Sequence, residues 1–156
     1  MIGIIIGSES DVETMRYCAD KLEEFGIAHK MVVASAHRNP EKVTKLIKQC
    51  EERGYKIIIA AAGMSAALPG VVASQTKLPV IGVPMKSDLM GIDSLLSIVQ
   101  MPKGVPVACM SVGKHGAINA ALYAKRIFDL SIENPAMAAE EHFDHDLKVF
   151  PDYDES

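Results

Sequence analysis

The sequence predicts an α/β fold with a doubly wound parallel sheet, and two observations lead to this prediction. Short runs rich in valine and isoleucine alternate along the 156-residue chain with segments whose apolar residues recur at helical spacing. The runs are almost continuously apolar, which is typical of strands covered by helices on both faces. Because 49% of the residues are hydrophobic, the chain can bury one substantial core, and we expect a single domain.

The elements follow in order along the chain. A first helix over 11–25 places Met15, Cys18 and Leu22 on one face, and a second helix is predicted over 40–53. A glycine follows each of them, as is common at helix ends. The predicted strands are 2–6, 28–34, 56–61, 79–83 and 105–110. Repeated strand–helix–strand units of this kind indicate a three-layer, flavodoxin-like arrangement.

The end of the chain differs in composition from the rest. Residues 134–149 have a helical pattern after Pro135, and acidic residues gather there and in the last residues after Pro151. We therefore expect residues 1–133 to form the α/β unit, and 134–156 to add an acidic helix and tail to the same domain.

Charge and hydropathy exclude several classes of function. The formal charge is −4, no basic block is present and only 5% of residues are aromatic, so no nucleic-acid partner is expected. No apolar stretch approaches the roughly 20 residues that span a bilayer, and no basic leader precedes the first strand. We expect a soluble, cytoplasmic protein without a membrane partner.

The three cysteines do not predict a metal centre. Cys18, Cys50 and Cys109 are odd in number and far apart, which argues against a zinc site or a disulfide framework. They are expected to be buried or partly buried free thiols. His142 and His145, three residues apart on the acidic C-terminal segment, are expected to be exposed rather than metal ligands.

The loop after the second predicted strand is the strongest candidate for chemistry. It places Ser35, His37 and Arg38 just before a helix that begins at Pro40. Histidine exchanges protons near neutral pH, and the planar arginine fork binds phosphate or carboxylate. A solvated loop with a chance His-Arg pair is the alternative.

Other loops at the same edge of the sheet have two interpretations each. Residues 7–11 offer glycine, Ser8, Ser10 and helix amides to an anion such as phosphate, or they only cap a helix through Ser10 or Asp11. The small residues of 62–70 allow close approach of a flat ligand or tight packing. Residues 84–93 are either a lid with a hinge at Gly91 or a plain surface loop. His115, in a glycine-rich turn, either approaches a ligand or only begins a helix.

Four segments together resemble the PurE family. They are Gly7-Ser8-Glu9-Ser10-Asp11 with Met15, Ser35-Ala36-His37-Arg38-Asn39-Pro40, residues 62–70, and residues 93–106 with Ser97-Ile98-Val99-Gln100-Met101-Pro102. They occur in the family's order and spacing, and the resemblance covers about residues 1–130.

The resemblance implies a flavodoxin-like subunit of a homo-octamer that uses neither metal nor organic cofactor. It also implies an isomerase of purine biosynthesis that moves carbon dioxide on a small ribonucleotide, from the exocyclic nitrogen of its imidazole to ring carbon C4. His37 matches the family's general acid/base, and Ser8, Asp11 and Arg38 match its ribonucleotide-binding positions. The other residues expected to contact the substrate are Ser10, Ser35, Gly63, Ser65, Ala66 and Leu68.

The chain departs from the family in the third loop. Family mutases usually read His-Leu-Pro-Gly there, whereas this chain reads Ala67-Leu68-Pro69-Gly70. The missing histidine leaves two alternatives open: direct carboxylation of aminoimidazole ribonucleotide, and a non-catalytic ribonucleotide-binding paralogue. Arg38 favours the mutases, because the related carboxylases tend to have lysine at that position. The short, acidic C-terminus is a second departure.

Overall fold

Residues 1–132 are described by a computed structural model of the chain, and within them parallel strands alternate with α-helices. The strands are β1 (Ile2–Ile6), β2 (His29–Val33), β3 (Ile57–Ala62), β4 (Val80–Pro84) and β5 (Ala108–Cys109). The helices are α1 (Val12–Glu24), α2 (Pro40–Glu52), α3 (Leu68–Gln75), α4 (Ile92–Val99) and α5 (Lys114–Ile132), and a short 3-10 turn (Glu9–Asp11) precedes α1.

The sheet has the order β2-β1-β3-β4-β5, and every pairing is parallel. Ile2 of β1 pairs with His29 on one side and with Ile57 on the other. This is the flavodoxin-like order, whose switch point lies between β1 and β3. The predicted fold class is confirmed, and ligands of such sheets bind outside the carboxyl ends of the strands near that point.

Helices cover both faces of the sheet. Because side chains alternate along a strand, Ile4 and Ile59 pack with α1 and α5, whereas Ile5 and Ile58 pack with α2, α3 and α4. All five residues of β1 are buried. The near-continuous apolarity of the strands therefore reflects two cores, one on each side of the sheet.

Close packing depends on small residues at two places. The alanines of α5 at positions 117, 120, 121 and 124 are fully buried against the sheet and α1. At Gly82 of β4, an added Cβ would lie 2.5 Å from Ile98 Cγ2 and 2.9 Å from Val107 Cγ1. A larger residue at position 82 would therefore push α4 away from the sheet.

Apart from shifts of one residue at several element ends, the structure differs from the sequence prediction in three respects. The fifth strand, predicted over 105–110, contains only Ala108–Cys109; it is an edge strand, and Pro106 has no N–H to donate to a ladder. The sequence analysis left α3 and α4 unassigned. Leu68, Pro69 and Gly70, predicted as loop, form the first turn of α3, where proline is well tolerated.

The C-terminal predictions concern residues that the structure does not describe. The boundary at residue 133, the acidic helix and tail over 134–156, and His142 and His145 all lie outside the described residues. Among residues 1–132, no helix combines the length and the apolarity that crossing a bilayer requires.

Candidate functional site

Four loops at the carboxyl ends of β1 to β4 line one cleft of about 500 Å³. Every residue predicted to bind or act on a ligand lines this cleft. Ser8, Ser10 and Asp11 come from the loop after β1; Ser35, His37 and Arg38 follow β2; Gly63, Ser65, Ala66 and Leu68 follow β3. Parallel strands end at the same edge of the sheet, so residues distant in sequence meet beside the switch point.

The first loop is held by its own hydroxyl groups. The Ser10 hydroxyl lies 2.9 Å from Ser8 Oγ and 3.3 Å from Asp11 Oδ1, and Ser10 N donates to Ser8 Oγ at 3.4 Å. Ser8 therefore caps the 3-10 turn, and the predicted alternative of a cap by Ser10 or Asp11 is wrong: Asp11 precedes α1 without a side-chain cap bond.

The carboxylate of Asp11 lies in a partly buried position. Burial raises the pKa of Asp11 above its ordinary value of 3.8, and the hydrogen bond from Ser10 acts in the opposite direction. Because desolvation disfavours the charged form, the carboxylate gains from additional donors.

The second loop is fixed at both of its ends. Arg38 N donates to Ser35 Oγ at 3.3 Å, and Asn39 N donates to Ser35 O at 2.9 Å. Lys42 of α2 donates to the carbonyl of Val33, the last residue of β2, at 2.7 Å. The side chains of His37 and Arg38 are exposed to solvent at the cleft. The backbone of this loop is therefore held while the side chains of His37 and Arg38 stay accessible.

The third loop combines small residues with an unusual backbone. Met64 has φ 57°, a left-handed conformation that non-glycine residues rarely adopt, and its carbonyl accepts from Ala66 N at 2.8 Å. Ala66 is buried, while Ala67, at the position of the family histidine, is partly exposed and lines the cleft.

The glycines of the cleft are not required by the packing of one subunit. An added Cβ would meet its nearest neighbour at 3.5 Å at Gly7 and at 3.4 Å at Gly63, which are ordinary contact distances. Neither glycine adopts a left-handed backbone. Neither packing within this subunit nor a left-handed backbone therefore requires glycine at these two positions.

The fourth loop, which the sequence predicted as either a lid or a plain surface loop, contributes three residues that were not among the predicted site residues. Lys86, Ser87 and Asp88 follow β4 and line the same cleft. Their position in the sequence indicated this, because they directly follow a buried strand and the other predicted strands of the sheet also end in candidate site loops. His115, by contrast, is exposed at the start of α5 and is not among the residues that line the cleft.

The cysteines are free thiols, as predicted. Cys18 and Cys50 are buried and Cys109 is partly buried. Burial raises the pKa of Cys18 to about 12 and raises the pKa of the other two thiols above the ordinary 9.0. Within residues 1–132, no three His, Cys, Asp or Glu side chains are grouped so that they could hold a metal ion.

The fold and the cleft define a flavodoxin-like protein with a candidate ligand site at its switch point. A family model described as AIR carboxylase matches residues 1–145. The chain therefore belongs to the AIR carboxylase family, and the resemblance to PurE proteins noted from the sequence is confirmed.

Curated relatives and a solved structure agree with this assignment. The N5-carboxyaminoimidazole ribonucleotide mutase of Bacillus subtilis is 51% identical over 142 residues, which are 90% of this chain and 88% of that protein. The protein of the same name from Pyrococcus abyssi is 55% identical over 135 residues, covering 86% and 75% of the two chains. The crystal structure of Treponema denticola PurE matches with a TM-score of 0.75 and 36% identity, over 83% of this chain and 80% of that one.

Proposed function

We propose that this protein is an isomerase that converts 5-(carboxyamino)imidazole ribonucleotide to 4-carboxy-5-aminoimidazole ribonucleotide in purine biosynthesis. The observation that carries the proposal is the identity of about half of all residues to mutases of that name, over most of each chain. The gathering of all the predicted site residues in one cleft supports it.

The cleft has groups suited to each part of a ribonucleotide. The guanidinium of Arg38 and the loop before α1, with the hydroxyls of Ser8 and Ser10, bind the phosphate. The carboxylate of Asp11 accepts hydrogen bonds from the ribose. Ser35 positions Arg38 through the 3.3 Å bond to its backbone N–H.

The reaction requires one proton carrier in addition to binding. The bond between the exocyclic nitrogen and the carboxyl carbon breaks, its electrons return to nitrogen, and carbon dioxide is released beside the ring. Carbon C4 then attacks the carbon dioxide, and the proton on C4 must leave while the exocyclic nitrogen gains one. His37 moves this proton, because an imidazole accepts and donates near neutral pH.

The third loop keeps the reacting groups together. Gly63, Ser65, Ala66 and Leu68 enclose the flat ring and the released carbon dioxide, which raises their effective concentration and excludes water. The transfer balances with one carboxyl group and one proton, so we propose that it uses neither a metal nor an organic cofactor.

Turnover of the carbamate by a His37→Asn variant tests the catalytic role. Wild type should form the C4-carboxylated product without added bicarbonate, faster than the substrate decays, and His37→Asn should lose at least about a hundredfold of this rate. His29→Asn is the matched control, because His29 lies at the amino end of β2, far from the cleft at the carboxyl ends of the strands. Its Nδ1 is 3.1 Å from Ile27 O. Undiminished activity of His37→Asn would refute the role.

The same assay separates the alternatives that Ala67 leaves open. Product formed only from aminoimidazole ribonucleotide and bicarbonate would identify a direct carboxylase. Binding of the ribonucleotide without turnover of either substrate would identify a non-catalytic paralogue. Product from the carbamate alone would show that the reaction tolerates Ala67.

We also propose that the protein works as a cytoplasmic homo-octamer, with the ribonucleotide as its small-molecule partner and neither nucleic acid nor membrane as a ligand. Large apolar side chains exposed on and just before α4 support self-association: Leu89, Met90, Ile92, Leu96 and Val99 are each more than half exposed in one subunit. Light scattering should give a mass of eight subunits, and Leu96→Glu should lower it. A monomeric wild type would overturn this part of the proposal.

A further inference from the structure

The proposed substrate carries two anionic groups, a phosphate and a carbamate, at opposite ends of the molecule. The inference below rests on the proposed function. Apart from His37, the basic side chains that line the cleft are Arg38 and Lys86. Arg38 is assigned to the phosphate, so among residues 1–132 Lys86 is the cation of this cleft that remains for the second anion.

The two cations enter the cleft from different strands. Arg38 follows β2 and Lys86 follows β4, and these strands are separated by β1 and β3. Three strand spacings amount to about 14 Å at the sheet. That separation places one cation at each end of a bound ribonucleotide rather than both at the phosphate.

Lys86 emerges beside the loop that is proposed to enclose the imidazole ring. Met85 N donates to the carbonyl of Ala62 at 2.9 Å, and the Cβ position of Gly63 lies 3.9 Å from Lys86 O. The backbone of Lys86 therefore packs directly against the third loop.

The loop that carries Lys86 is tied to the fold at both ends. The buried hydroxyl of Ser94 lies 2.8 Å from Met85 O and 2.9 Å from Gly91 O. Ser87 donates to the carboxylate of Asp93, with distances of 2.9 and 2.8 Å to its two oxygens. At Gly91, which has φ 86°, an added Cβ would lie 2.5 Å from a methyl carbon of Val112. The backbone beneath Lys86 is thereby fixed before ligand binds, which reduces the entropy lost on binding.

We propose that the ammonium group of Lys86 binds the migrating carboxyl group, as the carbamate in the substrate and as the C4 carboxylate in the product. Lys86 is then the residue that distinguishes carboxylated ribonucleotides from aminoimidazole ribonucleotide, which carries the phosphate alone. A charge-assisted contact in a half-open cleft favours the carboxylated ligand about tenfold.

Calorimetric titration of two stable ligands tests this assignment. 4-Carboxy-5-aminoimidazole ribonucleotide and 5-aminoimidazole ribonucleotide are each titrated into the His37→Asn protein, which prevents conversion during the measurement. Adding Lys86→Met, which keeps the length of the side chain, should lower the affinity for the carboxylated ligand about tenfold. The affinity for 5-aminoimidazole ribonucleotide should fall less than about twofold. Lys86→Gln should behave in the same way, which guards against a folding defect of one variant.

The matched control is Lys77→Met. Lys77 is also an exposed lysine, but it precedes β4 and therefore lies near the amino ends of the strands, whereas the cleft lies at their carboxyl ends. Lys77→Met should leave the affinity for both ligands unchanged. Equal weakening of both ligands by Lys86→Met would place Lys86 at the phosphate and overturn the inference, as would unchanged affinity for both. If the carboxylated ligand fails to bind even with Lys86 present, the proposed function itself fails.

Discussion

Replacing Ser94 by alanine removes a buried hydroxyl that supports the fourth loop of the cleft. Ser94 is fully buried on α4, and its hydroxyl lies within hydrogen-bond distance of the carbonyls of Met85 and Gly91. The carbonyl of Gly91 keeps a second bond, from Leu95 N at 2.9 Å. The loss therefore falls mainly on the carbonyl of Met85, the residue before Lys86.

The expected change in the free energy of unfolding follows from two opposing contributions. A buried carbonyl that loses its donor costs about 1–3 kcal/mol. Alanine has a higher helix propensity than serine, which returns about 0.5 kcal/mol. Ser94→Ala should therefore destabilise the protein by about 0.5–2.5 kcal/mol, and the looser loop should raise the KM for the ribonucleotide more than it lowers kcat.

Urea unfolding followed by circular dichroism measures the stability change, at one protein concentration so that the proposed self-association contributes equally to every variant. Ser97→Ala is the matched control: it lies on the same helix, is exposed, and donates to Asp93 O at 2.7 Å. That change should fall between zero and a gain of about 0.5 kcal/mol. If Ser94→Ala proves no more destabilising than Ser97→Ala, the argument from burial is refuted.

Three further predictions concern packing and titration. Gly82→Ala should destabilise the protein by about 1–3 kcal/mol in urea unfolding, because the new methyl group would lie 2.5 Å from Ile98 Cγ2. A thiol reagent at pH 8 should modify Cys109 first in the native protein and Cys18 only after unfolding, since Cys18 is fully buried with its pKa raised to about 12. Asp11→Asn should gain stability relative to wild type as the pH rises from about 3.5 to 7. The raised pKa of Asp11 favours the folded state below 3.8, and this advantage is lost as the pH rises through the folded pKa.

Each of these predictions has a result that contradicts it. An unchanged free energy of unfolding for Gly82→Ala would mean that α4 moves away from the sheet without loss of stability. Gly104→Ala cannot serve as the control, because Gly104 has φ 94°. Rapid native modification of Cys18 would indicate an opening of α1 from the sheet. A stability difference between Asp11→Asn and wild type that does not change with pH would show that burial of the carboxylate is not its cause.

The parallel sheet was predictable because its signal is local. Runs such as Ile2–Ile6 are apolar at every position, which is typical of parallel strands covered on both faces. The helical segments between these runs are the crossover connections that parallel pairing needs. The helices with clear periodicity, α1 and α2, were predicted to within one residue. By contrast, α3 is a short helix of small apolar residues whose pattern resembles a loop or buried strand, and Leu68 was misplaced for that reason.

The residues of the cleft also divide into those that the sequence reveals and those that only the structure places. His37 and Arg38 could be selected from the sequence because their chemistry is specific and their loop follows a buried strand. The loop that carries Lys86 could be predicted only as a lid or a plain surface loop, because a Lys-Ser-Asp segment is typical of any surface loop. That Lys86 lines the cleft depends on which strands are neighbours in the sheet.

The amino-acid sequence by itself determined the alternation of strands and helices, the motifs of the family and the residues with suitable chemistry. Only the tertiary structure decided which loops share a cleft, that Ser8 rather than Ser10 or Asp11 caps the first turn, and that Lys86 lies beside the third loop. The physical reason is that hydrophobic periodicity acts over a few residues, whereas the order of strands in the sheet is set by packing between distant segments.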